Sequence, residues 1–263
     1  MDVDALLDWY RRVRRPLPWR ATRDPYALLV SEVMLQQTQA ARVVPYYERF
    51  LARFPDPVAL AGAPGAEVLE LWSGLGYNRR ALALQAAAAH VAGHGWPDDL
   101  QELPGVGPYT AAAVRSFAWG APVAAVDTNV RRLLTRHDAV ERAPRALEAR
   151  AGELLAGRSG AVFNQATMEL GATVCTPRRP RCGACPVAAT CRWAGEDPRP
   201  AAKAARTRFE ETDRWLRGRL VAAALAGAPP PAGIDPARMA RVRASLERDG
   251  LLAAAAQRVD TRR

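Results

Sequence analysis

Lysine is nearly absent from this sequence: Lys203 is the single lysine among its 37 lysine and arginine residues. No apolar run approaches the roughly 20 residues that a membrane-spanning helix requires. The opening segment, MDVDALLDWYRR, is acidic and amphipathic, unlike a secretory signal. These absences predict a protein that acts in the cytoplasm without a membrane partner.

The net charge is strongly positive, at +10 with a sequence pI of about 10.3. A preference for arginine over lysine can follow from compositional drift, but drift does not explain an excess of basic over acidic residues. An excess of this size favours a polyanionic partner such as nucleic acid.

The sequence before residue 195 also lacks any convincing strand pattern of alternating apolar and polar residues, and it has no repeat of fixed period. We therefore predict an all-α fold. The pairs Asp24-Pro25 and Asp56-Pro57 are typical helix starts. Helices are predicted over residues 25–35, 79–91, 109–119, 129–136, 145–155 and 161–173, the second ending at Gly93 and Gly95.

The predicted domain organisation has three parts. Residues 1–193 form the main domain, and residues 194–208 form a polar, basic linker that contains prolines. Residues 209–263 form a small unit of two helices and a short terminal segment, which suggests a winged-helix-like module.

All four cysteines lie in one stretch, with the spacing C-x6-C-x2-C-x5-C, at Cys175, Cys182, Cys185 and Cys191. Structural disulfides are rare in the cytoplasm, so a metal site is expected. Zinc sites usually show two separated C-x2-C pairs. One compact loop favours a 4Fe–4S cluster, with zinc as the alternative.

The loop between the first two cysteines is basic and stiff. Arg178, Arg179 and Arg181 alternate with Pro177 and Pro180. A rigid cationic loop suits contact with phosphate, although a solvated basic loop would look the same.

The stretch LPGVGPYT, residues 103–110, predicts a helix-hairpin-helix element that grips DNA phosphate. Leu103 and Val106 would anchor the turn, and Gly105 and Gly107 would let the backbone approach a ligand. Free N–H groups where Pro108 starts the next helix would form an anion site. The alternative is an ordinary turn between two helices.

Two carboxylates are candidates for chemistry. The helix around Glu32 is apolar on every side, which predicts a buried carboxyl with a raised pKa that can carry a proton; a salt bridge to arginine is the alternative. Asp127 is positioned to cap the helix that contains Asn129, and capping alone could explain it.

Taken together, the motifs resemble a known family over about residues 5–193. The segments LPWR, SEVMLQQTQ, GLGY, LPGVG, VDTNV and FNQATMELGA, followed by the cysteine loop, occur in the order of the adenine DNA glycosylase (MutY) family, within the helix-hairpin-helix-GPD superfamily. The tail from Phe209 resembles the short C-terminal unit of actinobacterial members.

The resemblance implies a fold of two helical lobes with DNA between them. The hairpin and the cluster loop would hold phosphates, Gln37 would wedge into the duplex, and Tyr77 would support the opposite strand. The target nucleotide would be flipped into a pocket lined by Arg20, Glu32 and Gln165, with Leu35 and Tyr109 against the base.

The resemblance also implies a division of roles between the carboxyls. Glu32 would protonate N7 of adenine, and Asp127, kept ionised by its helix start and by Asn129, would stabilise the sugar cation or add to it. The cluster would be structural. The expected partner is double-stranded DNA that contains a mismatched or damaged pair, bound by a nucleoid-associated monomer.

The chain departs from the family pattern in a way that affects specificity. Many members carry a further C-terminal domain that reads 8-oxoguanine, and the sequence is expected to be too short for it. This departure bears on the preference for adenine opposite 8-oxoguanine over adenine opposite guanine. A thymine or uracil mismatch glycosylase of the same superfamily is an alternative, because such proteins also resemble TRDPY, PGVG-x-YT and the cysteine loop and also lack the extra domain. A non-enzymatic iron–sulfur DNA-binding regulator is another, although it would need neither Glu32 nor Asp127.

Overall fold

The computed structural model describes residues 1–193, 195 and 208–257, and across these residues it is all-α, with no β-strand. The predicted linker therefore lies almost wholly outside the described residues. No helix in the described part is long and apolar enough to cross a membrane. The α-helices are α1 (Val3–Val13), α2 (Pro25–Leu35), α3 (Ala40–Arg53), α4 (Pro57–Ala61), α5 (Gly65–Trp72), α6 (Arg79–His94), α7 (Pro108–Trp119), α8 (Thr128–Asp138), α9 (Pro144–Leu155), α10 (Gly160–Thr173), α11 (Asp213–Ala226), α12 (Pro236–Arg248) and α13 (Leu251–Ala256).

The helix starts predicted from Asp-Pro pairs are confirmed. The Asp24 carboxylate accepts hydrogen bonds from the backbone N–H groups of the first turn of α2, at 3.1 Å each. Asp56 caps α4 at 2.8 Å. Asp235, which precedes Pro236 in the same way, caps α12 at 2.7 Å. Each carboxylate pairs a donor that the helix would otherwise leave unsatisfied, so local sequence fixes where these helices begin.

Helix α6 is three residues longer than the predicted residues 79–91. Gly93, the first of the two glycines predicted to end it, lies inside the helix, which continues to His94. Gly95 ends it at φ 81°, a left-handed conformation that favours glycine. A lone glycine inside a helix costs only about 1 kcal/mol, which packing readily offsets.

The chain divides into two compact units, and the division falls within α2. The first unit comprises Met1–Glu32 and Val106–Pro200. In it, α10 packs against α1, α7 and α8, and α8 also packs against α9. The largest part of its apolar core comprises Val3, Leu6, Leu7, Tyr10, Val130, Leu133, Leu134, Leu147, Ala151, Leu154, Leu155, Phe163, Ala166, Leu170, Val174 and Val187.

The second unit comprises Val33–Gly105 and Ala201–Arg263, so helices from two distant parts of the sequence share one body. Helix α13 packs against α5 so closely that a Cβ added at Gly65 would lie 2.8 Å from the Cβ of Ala254. The predicted boundary between residues 1–193 and 209–263 stays a prediction. So does the winged-helix-like character of the tail, whose described residues 208–257 contain three α-helices.

Candidate active site

Glu32 is a buried carboxyl of the first unit, with 4% of its surface exposed. Its Oε2 atom has no hydrogen-bond partner in the part of the chain that the structure describes. The pKa of Glu32 is raised to about 7: burial is the largest cause, a hydrogen bond from Tyr109 partly opposes it, and the charge of Asp127 adds to it. The carboxyl can therefore hold a proton near neutral pH and has an oxygen available to donate it.

Tyr109 lies beside Glu32 in the first unit and is a neutral group. Burial, followed by the charges of Glu32 and Asp127, raises the pKa of its phenol well above the ordinary value. Its hydroxyl also lies 4.0 Å from the sulfur of Met168. Because the phenol keeps its proton, it can donate to a carboxylate at Glu32.

Asp127 caps α8, as the sequence predicts. Its Oδ1 accepts from the backbone N–H of Val130 at 2.7 Å, and its Oδ2 accepts from the side-chain amide of Asn129 at 2.7 Å. Both hydrogen bonds, together with the positive end of the helix dipole, stabilise negative charge on this carboxylate. The structure thus brings Glu32, Tyr109, Asp127 and Asn129 together in one unit.

Arg132 extends this arrangement, and the sequence analysis missed it. Its guanidinium donates to Asn129 Oδ1 at 2.9 Å, to the carbonyl oxygen of Gly171 at 2.7 Å and to that of Cys175 at 2.8 Å. A Cβ added at Gly171 would lie 2.8 Å from the Cβ of Asn129, so only glycine allows this approach of α10 to α8. The spacing of Arg132 three residues after Asn129 was the available signal.

Arg20 and Gln165, predicted for the base pocket, both contact Tyr10. Gln165 accepts a hydrogen bond from the Tyr10 hydroxyl at 2.5 Å, and the Arg20 guanidinium lies 5.5 Å from the centre of the Tyr10 ring. Arg20 also pairs with Glu169 at 2.6 Å, and Arg15 pairs with the same carboxylate at 2.7 Å.

Glu169 is a buried carboxylate that the sequence analysis did not single out, although it lies within the FNQATMELGA segment. Burial alone would raise its pKa, but hydrogen bonds from Arg15 and Arg20 lower the pKa below its ordinary value. Glu169 is therefore ionised at neutral pH. The contrast with Glu32 shows how two buried glutamates in one unit acquire pKa shifts of opposite sign, because only Glu169 has arginine partners.

The cysteine loop offers four free thiols, and none of the four is in a disulfide. Burial raises the pKa of the Cys185 thiol, and Cys175, Cys191 and Cys182 each add to that shift, so each of the three lies within electrostatic reach of Cys185. The buried Arg136 guanidinium lies 3.6 Å from the sulfur of Cys175 and donates to the Thr176 carbonyl at 2.8 Å. This donor set, four thiols beside a cation, fits an anionic iron–sulfur cluster.

The arginines of the loop do not behave alike. Arg178 and Arg179 are exposed, as expected for phosphate contacts. Arg181 is also exposed, but its guanidinium folds back to donate to the carbonyl of Thr173 at 2.6 Å. Arg181 therefore braces the loop.

The two glycines of the hairpin, Gly105 and Gly107, differ in backbone conformation. Gly105 has φ +77°, and a Cβ there would lie 2.8 Å from the Cβ of Ala83, so glycine is required. Gly107 is extended, with φ −95° and ψ 178°, a conformation open to any residue. Leu103 and Val106 are buried as predicted, and Pro108 is the first residue of α7.

In the second unit, Gln37 and Tyr77 are exposed residues that both adopt positive φ, at 60° and 49°. Arg80, which the sequence analysis missed, clamps both turns: it donates to the carbonyls of Gln36 at 2.6 Å and Gly76 at 3.0 Å. Burial lowers the pKa of Arg80 to about 10, so the guanidinium stays charged at neutral pH. Leu35, also in this unit, is half-buried at the end of α2.

Comparison with protein families finds two matches. Residues 30–156 match the HhH-GPD superfamily base excision DNA repair protein family. Residues 175–191, which span the cysteine loop, match the iron-sulfur binding domain of endonuclease III.

Curated relatives carry the name adenine DNA glycosylase. One from Mycolicibacterium smegmatis is 46% identical, with the match covering 82% of this chain and 78% of the relative. One from Homo sapiens is 44% identical, with 72% of this chain and 38% of the relative covered.

Solved structures share the fold. A thermostable thymine-DNA glycosylase is 32% identical with a TM-score of 0.67, covering 73% of this chain and 94% of that one. A trapped covalent intermediate of endonuclease III with DNA is 25% identical with a TM-score of 0.64, covering 72% of this chain and 92% of that one.

Proposed function

The chain belongs to the adenine DNA glycosylase family, a DNA-binding base excision repair family with a 4Fe–4S cluster, and from that premise we propose the reaction it performs. It removes adenine mispaired with 8-oxoguanine or guanine by hydrolysing the N-glycosidic bond, and it leaves an abasic site. The single observation that carries this proposal is the buried Glu32 carboxyl, with a pKa of about 7 and an unpartnered oxygen.

Glu32 supplies the proton. Neutral adenine is a poor leaving group, and protonation of its N7 weakens the bond to the sugar. A carboxyl whose pKa lies near the working pH is an efficient general acid. Tyr109, which keeps its own proton, steadies the carboxylate that Glu32 becomes after donation.

Asp127 stabilises the positive charge that develops on the sugar as the base leaves, or adds to the sugar to form a covalent intermediate. The hydrogen bonds from Val130 and Asn129 hold its two oxygens in place. Water then attacks the sugar carbon, releasing the Asp127 carboxylate where it has added, and the proton that the water loses returns to the carboxylate of Glu32.

In this proposal, binding rests on contacts with the DNA phosphates and with the flipped nucleotide. Two elements hold phosphates: the hairpin backbone at Gly105, Val106 and Gly107, and the exposed side chains of Arg178 and Arg179. Gln37 fills the space that the flipped nucleotide vacates, at an unstacking cost of a few kcal/mol. Arg20 and Gln165, both in the first unit, line the base pocket.

The 4Fe–4S cluster is held by the four cysteines of the loop, Cys175, Cys182, Cys185 and Cys191. When bound, it cross-links the loop rigidly. Base hydrolysis transfers no electrons, so the cluster takes no part in the bond-breaking step. Arg136 and Arg132 tie the loop to α8 through hydrogen bonds to Thr176 and Cys175. The protein works as a monomer at chromosomal DNA.

Two duplexes test this proposal side by side, one with adenine opposite 8-oxoguanine and one with thymine opposite guanine. The released free base is identified by mass spectrometry. Release of adenine from the first duplex, with the second left intact, is the expected result. Release of thymine alone would instead assign the chain to the mismatch activity that the name of its thymine-DNA glycosylase neighbour describes.

A further inference from the structure

One guanidinium in the second unit joins two turns that are distant in sequence. Nη1 of Arg80 donates to the carbonyl of Val33 at 2.7 Å, in the last turn of α2, and to that of Gln36 at 2.6 Å, just after the helix ends. Its Nη2 donates to the carbonyl of Gly76 at 3.0 Å, between α5 and α6. Because these carbonyls share one planar group, the two turns are fixed relative to each other while Arg80 is in place.

Gln37, in the first of these turns, has a backbone conformation that glutamine rarely adopts. It is the third residue of a turn that the N–H of Thr38 closes on the carbonyl of Leu35 at 3.1 Å, and its φ is 60°. Such positions usually hold glycine or asparagine. The Gln37 side chain is exposed, so packing does not account for the residue type. A residue strained in this way persists where neighbouring contacts fix the backbone, and Arg80 fixes the adjacent carbonyl of Gln36.

The second turn provides the anchor for the same guanidinium. The carbonyl of Gly76 accepts a hydrogen bond from the indole N–H of Trp72 at 3.2 Å as well as the one from Arg80. The Arg80 guanidinium carbon also lies 5.3 Å from the ring centre of Trp72 and 5.6 Å from that of Tyr77. Both distances suit a cation–π contact, so Arg80 is held between two aromatic rings while it binds the backbone.

The charge of Arg80 is not placed for an ion pair. Burial lowers its pKa to about 10, the Tyr77 phenol opposes that shift, and the charge of Arg214 adds to it, so neither ionisable neighbour is a carboxylate. The buried Nε atom has no hydrogen-bond partner in the part of the chain that the structure describes. Partial burial of a cation without a carboxylate costs free energy. The ordered geometry of the two turns is what the chain gains in return.

We propose that Arg80 is a positioning residue for base flipping: it holds the backbone that carries Gln37, so that this side chain enters the base stack as the target nucleotide leaves it. Unstacking costs free energy that the entering side chain must offset, and a backbone that yielded would offset less of it. Arg80 acts through Gln37 rather than on the base or the sugar. The inference rests on the proposed function, in which Gln37 fills the vacated space.

The fluorescence of 2-aminopurine tests this inference without depending on excision. The probe is placed beside a non-hydrolysable adenine nucleotide opposite 8-oxoguanine, and its fluorescence rises when that neighbour leaves the stack. Stopped-flow mixing with saturating full-length protein gives the rate of the rise. Arg80→Gln should slow the rise by about tenfold, because a misplaced side chain loses much of its effect. Gln37→Ala should slow it to a similar degree.

The double variant separates positioning from a general loss of structure. Arg80→Gln should add little to the slowing that Gln37→Ala causes, since both changes remove one and the same insertion. Slowing by the product of the two single effects would show that Arg80 acts elsewhere and would overturn the inference. An unchanged rise with Arg80→Gln would also overturn it.

Arg53→Gln is the matched control, because Arg53 also joins two helices of the second unit, α3 and α5, through its pair with Glu67 at 2.8 Å. It should give the parental rise. If thermal unfolding shows that Arg80→Gln does not fold, Arg80→Lys takes its place in the same cycle. Lysine keeps the charge but lacks the planar fork, so a parental rise with this variant would contradict the inference.

The parent protein separates failure of this inference from failure of the proposed function. A parental rise in fluorescence without release of adenine from a hydrolysable duplex would contradict the proposed function alone. Absence of the rise with the parent protein would contradict the insertion of Gln37, and with it the role of Arg80.

Discussion

Arg132 donates a hydrogen bond to the side-chain oxygen of Asn129 at 2.9 Å, while the amide of Asn129 donates to Asp127 at 2.7 Å. The same guanidinium donates to the carbonyl of Cys175 at 2.8 Å. One arginine therefore orients the amide that holds the candidate catalytic carboxylate and also binds the first residue of the cysteine loop. A shift of the cysteine loop would therefore move Arg132, and through Arg132 and Asn129 it would change the orientation of the Asp127 carboxylate.

Replacement of Arg132 by glutamine should slow base release by about tenfold or more, since Asn129 loses the group that orients it. Single-turnover excision at saturating protein measures the effect, with iron content determined on the same sample. Arg131→Gln, a change at the exposed neighbouring position, is the control and should retain normal excision. An Arg132→Gln protein with full iron and normal excision would contradict this role.

The rate of base release should depend on pH through Glu32. The pKa of this carboxyl is raised to about 7, and the reaction requires its protonated form. Excision should therefore be fast below pH 7 and should fall by about tenfold per pH unit above it. Single-turnover rates across this range, with duplex affinity measured in parallel, separate chemistry from binding. A rate that rises through pH 7 would exclude Glu32 as the acid.

Glu32 also destabilises the fold at high pH. Its pKa is about 7 in the folded protein and 4.5 ordinarily, so the folded state disfavours the charged form. The contribution of neutral Glu32 to the free energy of unfolding is fully present below the ordinary pKa, and it is lost as the pH rises to about 7. Glu32→Gln should therefore be more stable than the parent by under about 1 kcal/mol at pH 5, rising to about 3 kcal/mol at pH 8. Urea unfolding measures both, and a gap that did not widen with pH would contradict the buried, ionisable Glu32.

The cysteine loop should carry about four iron and four sulfide per chain, and the purified protein should be brown. Cys182→Ser should lose the colour and lower solubility, because the loop then lacks one ligand. Metal and sulfide analysis of protein made with ample iron is the measurement. Stoichiometric zinc without sulfide would show that the site holds a single ion.

The enzyme should release the base without cutting the strand. Strand cleavage commonly uses a lysine amine that forms a Schiff base, and the lone lysine, Lys203, lies outside the described residues and far in sequence from the pocket elements. Arginine stays protonated and is a poor nucleophile. Borohydride should therefore trap little protein–DNA adduct, and the abasic strand should break only in alkali. Efficient trapping that survived loss of Lys203 and blocking of the N-terminus would contradict this prediction.

Features set by neighbouring residues were predictable from the sequence. The all-round apolar pattern of α2 predicted that Glu32 is buried, and the position of Asp127 predicted its capping of α8. Features set by distant partners were not predictable. Glu169 binds Arg15, which lies 154 positions away in the sequence, and Arg214 contacts Tyr77, which lies 137 positions away. The local sequence shows that an arginine is present, but it does not predict which carboxylate, ring or carbonyl that arginine contacts.

Transfer of a proton from Glu32 to N7 of adenine is the central claim, and a duplex that contains 7-deaza-adenine opposite 8-oxoguanine tests it directly. This base keeps the shape of adenine but has a carbon in place of N7, so it cannot accept the proton there. Single-turnover release is compared for adenine and 7-deaza-adenine by the parent protein at about pH 6, where Glu32 is protonated. Rapid loss of adenine with little or no loss of 7-deaza-adenine, despite comparable binding, is the predicted result. Release of both bases at similar rates would contradict the account.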